Sequence, residues 1–178
     1  MRYLEMERLL LRAVMEADVH ALFDIYGDPA TNLYNPNGPY PSLQYAEDRL
    51  AAWLKGWREE GCGQWAVAKR EAPERIIGFG GLSYMDYGGE TRLNLGYRFA
   101  ASAWGMGYAS ETARAALRCA FDQLGAPAVY GKVRPANHAS IRVLEKQGFR
   151  QAGELADVPD QPASRVYLLT RAGYAVRD

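Results

Sequence analysis

The sequence predicts an α/β (α+β) fold: a mixed, mostly antiparallel central sheet of about seven strands, flanked by helices on both faces. Two patterns support this. Three strand-like runs follow one another across short turns in the middle of the chain, which reads as an antiparallel meander, and later strand runs alternate with helix-periodic segments. A length of 178 residues gives room for one substantial core, so residues 1–178 are expected to form a single domain.

The elements follow in order. ERLLLRAV (7–14) reads as the first strand, and Val19, Leu22, Phe23 and Tyr26 then recur at the spacing of a helix face, with Asp18 placed to cap it. PATNLYNPNGPYPS is dense in Pro, Asn and Gly and reads as a loop; its apolar cargo suits the wall of a pocket. Ser42 opens a second helix, with Tyr45, Leu50, Trp53, Leu54 and Trp57 on one face. GQWAVAKR, RIIGFGGLSYMDY and TRLNLGYRFA make the meander. A helix over 108–124 should bury Ala109, Ala113, Ala116, Leu117, Ala120, Phe121 and Leu124 and expose Glu111, Arg114, Arg118 and Asp122. AVYGKVR is a strand, PANHASIRVLEKQGF a helix ending at Gly148, and RQAGELA and SRVYLLTR two last strands.

Composition excludes several functions. Lys plus Arg and Asp plus Glu both number 21, so no global field recruits nucleic acid or an anionic membrane. Cys62 and Cys119 stand far apart, without CxxC or a His-rich neighbourhood, which argues against a disulfide framework or a metal site. Charges interrupt the apolar run of MRYLEMERLLLRAVMEADVH, so neither a signal peptide nor a membrane span is expected, and a cytoplasmic location is.

The stretch WGMGYASETARAAL (104–117) places Gly105 and Gly107 between a strand and a helix. Free N–H groups and the positive end of the helix dipole make such a turn suitable for an anion, phosphate above all. The spacing GxGxxS, with Ser110 where a third glycine belongs, and the late position in the chain argue against a dinucleotide fingerprint. No Gly-Lys-Ser/Thr follows, which excludes a Walker loop. Taken alone, the stretch fits an anion cradle and a ligand-free turn equally. Asn137-x-x-Ser140 likewise reads on spacing as a helix cap, and Leu95, Tyr97 and Phe99 as alternating buried strand residues.

Three separated stretches, ERLLLRAVMEADVHALFDIYGDP, LGYRFAASAWGMGYASETARAAL and KVRPANHASIRVLEKQGFRQAGE, together resemble the GNAT superfamily of N-acetyltransferases, in the branch of the ribosomal-protein N-terminal (alanine) acetyltransferases. They cover most of the chain. The resemblance implies splayed central strands and acetyl-CoA as co-substrate, with CoA as product. Trp104, Gly107 and Ala109 occupy the spaced positions of the family's pyrophosphate loop, so the backbone of Gly105, Met106, Gly107, Tyr108, Ala109 and Ser110 is expected to cap the pyrophosphate. Met106 stands where this branch often has Lys or Arg; Arg98, Arg114 and Lys146 are candidates for the missing charge. By the same resemblance Asn137 bonds the pantetheine arm and Ser140 lies near the thioester sulfur. The backbone of Tyr97, Arg98 and Phe99 pairs with pantetheine as an added strand would, with an amide near Tyr97 as oxyanion donor.

Acetyl transfer needs a neutral amine, yet an alkylamine with a pKa of roughly 10 is neutral in only about one molecule in a thousand at pH 7. Many relatives carry Glu in the strand before the Gly-Tyr pair, where this chain has Asn94, which cannot act as a base. Glu90 is taken as the local candidate ahead of Asp86 and His138, with a water chain as the alternative. Tyr34, Tyr40, Trp53, Tyr84 and Tyr87 fall in segments able to line the amine side. The expected partner is a small-molecule or peptide amine, and the resemblance is compatible with a homodimer. Asn94 and Met106 also motivate a second reading, a non-catalytic acyl-CoA-binding domain.

Overall fold

The chain forms an open sheet of eight strands: β1 (Tyr3–Glu5), β2 (Leu9–Ala13), β3 (Gln64–Lys69), β4 (Ala72–Tyr87), β5 (Glu90–Phe99), β6 (Ala128–Val133), β7 (Arg150–Leu155) and β8 (Ser164–Thr170). This computed structural model describes residues 2–176. The strand order is β1-β2-β3-β4-β5-β6-β8-β7, and every neighbouring pair is antiparallel except β5 and β6. The strand beyond the expected seven is β1, whose three residues are too few to show a periodicity.

Helices lie on both faces, and two adjacent residues of β4 show which. Phe79 points at Tyr26 and Trp53, with ring centroids 6.0 and 5.7 Å away, and so toward α1 (Val19–Tyr26) and α2 (Leu43–Glu59). Gly80 points the other way: a Cβ there would stand 2.9 Å from Thr112 in α3 (Tyr108–Arg118). Glycine at this position lets α3 lie directly on the sheet, with Ala113, Ala116 and Leu117 buried beneath it. On the same face α4 (His138–Lys146) sets Leu144 against Gly131 of β6. A short α5 (Arg171–Ala175), not anticipated from sequence, follows β8 and stacks Tyr174 on Phe121 at 4.7 Å. Among the described residues no helix is long and apolar enough to cross a membrane.

Local signals act largely as expected. Ser42 accepts from the Tyr45 amide at the start of α2, Asn137 from the Ser140 amide at the start of α4, and Gly148 takes a φ of 83° after α4. Two expectations need correcting. Asp18 does not cap α1 with its side chain; the carboxylate accepts a two-pronged bond from Arg12, at 2.7 and 2.8 Å, and the Met15 amide. Glu111 is fully buried rather than exposed, because a specific set of donors surrounds it, whereas Leu124 is partly exposed beyond the π-helical turn Cys119–Gln123 that ends α3.

Candidate active site

β5 is zipped to β4 along its whole length, from Tyr87 opposite Glu90 to Gly78 opposite Phe99. Its other edge meets β6 at one Cα pair only, Asn94 opposite Tyr130. From Leu95 to Phe99 the strands part and that edge of β5 is left without a strand partner, which is the splay expected of the central strands.

The glycine stretch lies at the end of β5. Gly105 and Gly107 adopt φ values of 76° and 80°, the left-handed region that side chains disfavour. Ala103 and Trp104 close a short turn onto Ala100 and Ala101, and the next backbone donor with an acceptor is Glu111, bonded to the Gly107 carbonyl. Among the described residues the six intervening amides, Gly105 to Ser110, have no intrachain acceptor. They lie at the positive end of an eleven-residue helix. The Trp104 indole donates to the Phe99 carbonyl at 3.0 Å, tying the loop to the strand end.

Arg8 holds this loop from below. The Glu111 carboxylate accepts from the Arg8 amide at 2.7 Å, the Leu9 amide at 3.1 Å and the Arg8 Nε at 2.9 Å. Arg8 Nη1 in turn donates to the Met106 carbonyl at 2.6 Å, and its guanidinium lies over the Tyr108 ring at 4.9 Å. The cation beside the loop is therefore Arg8, which lies far away in sequence, and none of the three candidates taken from sequence. Arg114 and Lys146 are exposed on their helices.

Across the parting, the Tyr97 hydroxyl and Ser140 Oγ lie 2.9 Å apart. The strand and α4 thus meet through two hydroxyl groups at the mouth of the gap. Burial pushes the Tyr97 phenol up to about 12, the Ser140 bond pulling the other way, so it is fully protonated near neutrality. β5 thus supplies a tyrosine hydroxyl beside Ser140 of α4.

On the opposite face the strand presents Asn94, Gly96 and Arg98. Asn94 is buried and accepts from the Tyr87 hydroxyl at 2.5 Å, and Tyr87 packs on Tyr130. Arg98 faces away from the glycine loop: its Nη1 donates to Asn32 at 2.7 Å and its guanidinium lies 4.3 Å over Tyr26. Tyr40 and Trp53 join Tyr26 here, whereas Tyr84 points to the α3 side and Tyr34 is exposed. The three base candidates are occupied or outlying. Asp86 accepts from the Gly89 amide in the β4–β5 turn, Glu90 pairs with Arg92 at that exposed turn, and His138 is exposed at the start of α4.

A parted parallel pair, with a helix following each strand, can be compared with known families. Residues 8–150 match the family described as acetyltransferase (GNAT) domain. The chain belongs to this family. An uncharacterized N-acetyltransferase of Bacillus subtilis (strain 168), YoaA, is 28% identical over 154 residues, 85% of each chain. An acetyltransferase structure from Agrobacterium tumefaciens str. C58 superposes with a TM-score of 0.79 at 28% identity, covering 95% of this chain and 94% of that one. A ribosomal-protein-S5-alanine acetyltransferase from Vibrio fischeri has the same fold, with a TM-score of 0.78 at 15% identity over 95% and 96% of the two chains. The GNAT domain here is an acyltransferase.

Within it, the roles of Arg8, Glu111 and Asn32 are not legible in the local sequence for one reason: each acts through a partner more than 60 residues away. Only Glu111, a carboxylate in the first turn of α3, carried a local signal.

Proposed function

We propose that this GNAT domain, residues 1–178, moves an acetyl group from acetyl-CoA to a primary amine by direct attack in a ternary complex. The observation that carries the reading is the unpaired edge of β5 from Leu95 to Phe99, which runs between six free amides at one end and the Tyr97–Ser140 hydroxyl pair. The residues present suit the co-substrate: loop amides without intrachain acceptors, exposed from Gly105 to Gly107, for a pyrophosphate, and open strand backbone for an amide-containing arm.

Acetyl-CoA supplies an acetyl group activated as a thioester. The amides of Gly105, Met106, Gly107, Tyr108, Ala109 and Ser110 bind its pyrophosphate, with Arg8 holding the loop in shape and Trp104 anchoring it to β5. The backbone of Tyr97, Arg98 and Phe99 aligns the pantetheine arm, and an amide near Tyr97 faces the carbonyl oxygen. Asn137 turns its Oδ1 to the Ser140 amide, which leaves its Nδ2 to bond the arm. Ser140 and Tyr97 stabilise the departing thiolate by hydrogen bonding. A phenol held at about 12 is a poor proton donor to a thiolate with a pKa near 8.5, the gap costing about 5 kcal/mol. Proton removal from the amine falls to water at the gap rather than to Glu90, which is paired with Arg92 at the far turn.

Thiol release with acetyl-CoA across a panel of amines, peptides and polyamines, with mass analysis of the products, tests this. An acetylated amine formed together with one free thiol is the expected result; saturable acetyl-CoA binding without thiol release from any amine overturns the transferase reading. That outcome would favour a non-catalytic acyl-CoA-binding domain, a reading motivated by Asn94, where many relatives carry Glu, and by its bond to Tyr87.

A further inference from the structure

On the α1–α2 face of β5, Gly96 lies between Asn94 and Arg98. A Cβ at Gly96 would meet only the Asn94 amide nitrogen, at 3.5 Å, so the strand offers a bare floor there beside the parting. Gly96 is two positions along the strand from each neighbour, so the floor spans about 13 Å from the Asn94 Cα to the Arg98 Cα. One end is closed by the buried Asn94–Tyr87 pair, which carries no charge.

Arg98 closes the other end, and its charge is uncompensated. It is half-buried, yet among the described residues no carboxylate lies within 4.0 Å of it. Among the described residues its one hydrogen bond, from Nη1, goes to the amide oxygen of Asn32. Asn32 is fixed in turn, accepting from Asn35 and donating to the Tyr26 and Asp28 carbonyls. The guanidinium lies over the Tyr26 ring, 4.3 Å from its centroid, which restrains it from one side while most of its N–H donors stay unspent. Arg49 adds a second positive charge beside the Tyr26 and Tyr40 phenols; burial raises both, and the two arginines oppose that rise. Among the described residues neither arginine forms an ion pair; Asp28 accepts from the Ala30 amide and Asp48 from Gln44. A half-buried cation with spare donors and no counter-ion is costly in the free protein and is relieved by an anion.

We propose that the acceptor of this enzyme is a small primary amine that itself carries a carboxylate, with the carboxylate held by Arg98 and the amine over Gly96 at the parting. Polyamines are rejected, because their second charge would fall against Arg98 and Arg49. The inference rests on the acetyl transfer proposed above.

The test compares kcat/KM for amino acids as free acids, for the same compounds as primary amides, and for spermidine, at saturating acetyl-CoA, in the natural protein and in Arg98→Met. The free acid should exceed its amide at least about tenfold, the scale of a charge-assisted bidentate pair, and Arg98→Met should bring that ratio close to one. Should Arg98→Met fail to fold, Arg49→Met should lower the ratio in part, and the natural protein's own acid-to-amide ratio still decides. Equal or better use of amides or spermidine by the natural protein overturns the inference and leaves acetyl transfer standing. A full ratio retained in Arg98→Met also overturns it. No thiol release from any amine overturns the transferase reading, and this inference with it.

Discussion

The two faces of the sheet at the parting of β5 and β6 are built from different material. On the α3–α4 side the groups that meet the gap are backbone amides and two hydroxyls, positioned by helix starts and by glycines with positive φ. On the α1–α2 side they are long side chains, Arg98, Tyr26, Tyr40 and Trp53, positioned by one another and by the Asn32 hub. Backbone donors serve any sequence that makes the turn, which suits a co-substrate common to a family. Side chains drawn from separate segments can change without altering the fold, which suits an acceptor particular to one enzyme.

The sharpest way to break this contrast is to remove the contact that holds the backbone side in place. Glu111→Ala should destabilise the fold by about 3–5 kcal/mol in denaturant unfolding, because the buried carboxylate answers Arg8 and two amides. A cost below about 1 kcal/mol would show that the loop stands without it. Gly107→Glu should come next, weakening CoA binding by calorimetry at least about a hundredfold, since a side chain at φ 80° strains the turn and brings a negative charge to the anion site. Ser140→Ala should lower kcat about tenfold while CoA affinity changes less than threefold, as expected for a group that acts on the leaving sulfur rather than in binding. Unchanged turnover in that variant would remove Ser140 from the mechanism.

A smaller effect reports how deeply the Tyr97 hydroxyl is buried beside Ser140. The Tyr97 phenol titrates higher folded than unfolded, so its contribution to stability is complete below pH 10 and is lost as pH rises from about 10 to about 12. Tyr97→Phe should show less alkaline loss of stability over that window in a pH series of unfolding curves. An identical loss in the variant would mean that other groups account for it.

Much of the fold was legible in the sequence because most of its elements announce themselves locally. Ser42, Asn137 and Gly148 cap helices as their residue types suggest, and the meander from Gln64 to Phe99 shows its turns. The glycine loop and the alternation through Leu95, Tyr97 and Phe99 were local too. What escaped was long-range. Helical periodicity placed Glu111 on the outer face, because nothing near it in sequence reveals that the Arg8–Leu9 backbone arrives there with unsatisfied donors. Arg98 was read as a cation for phosphate because strand alternation alone does not say which face carries the loop; Asn32 and Tyr26, both distant in sequence, draw it to the other side.

The central claim is that the backbone from Gly105 to Ser110 and the open edge of β5 receive acetyl-CoA. Amide NMR during titration with CoA tests this most directly. The account predicts saturable shifts concentrated at the six loop amides and at Leu95 to Phe99, with the Asn32–Tyr40 segment changing little. Saturable binding that leaves the loop amides unmoved and shifts the Arg98–Asn32 face instead would contradict it.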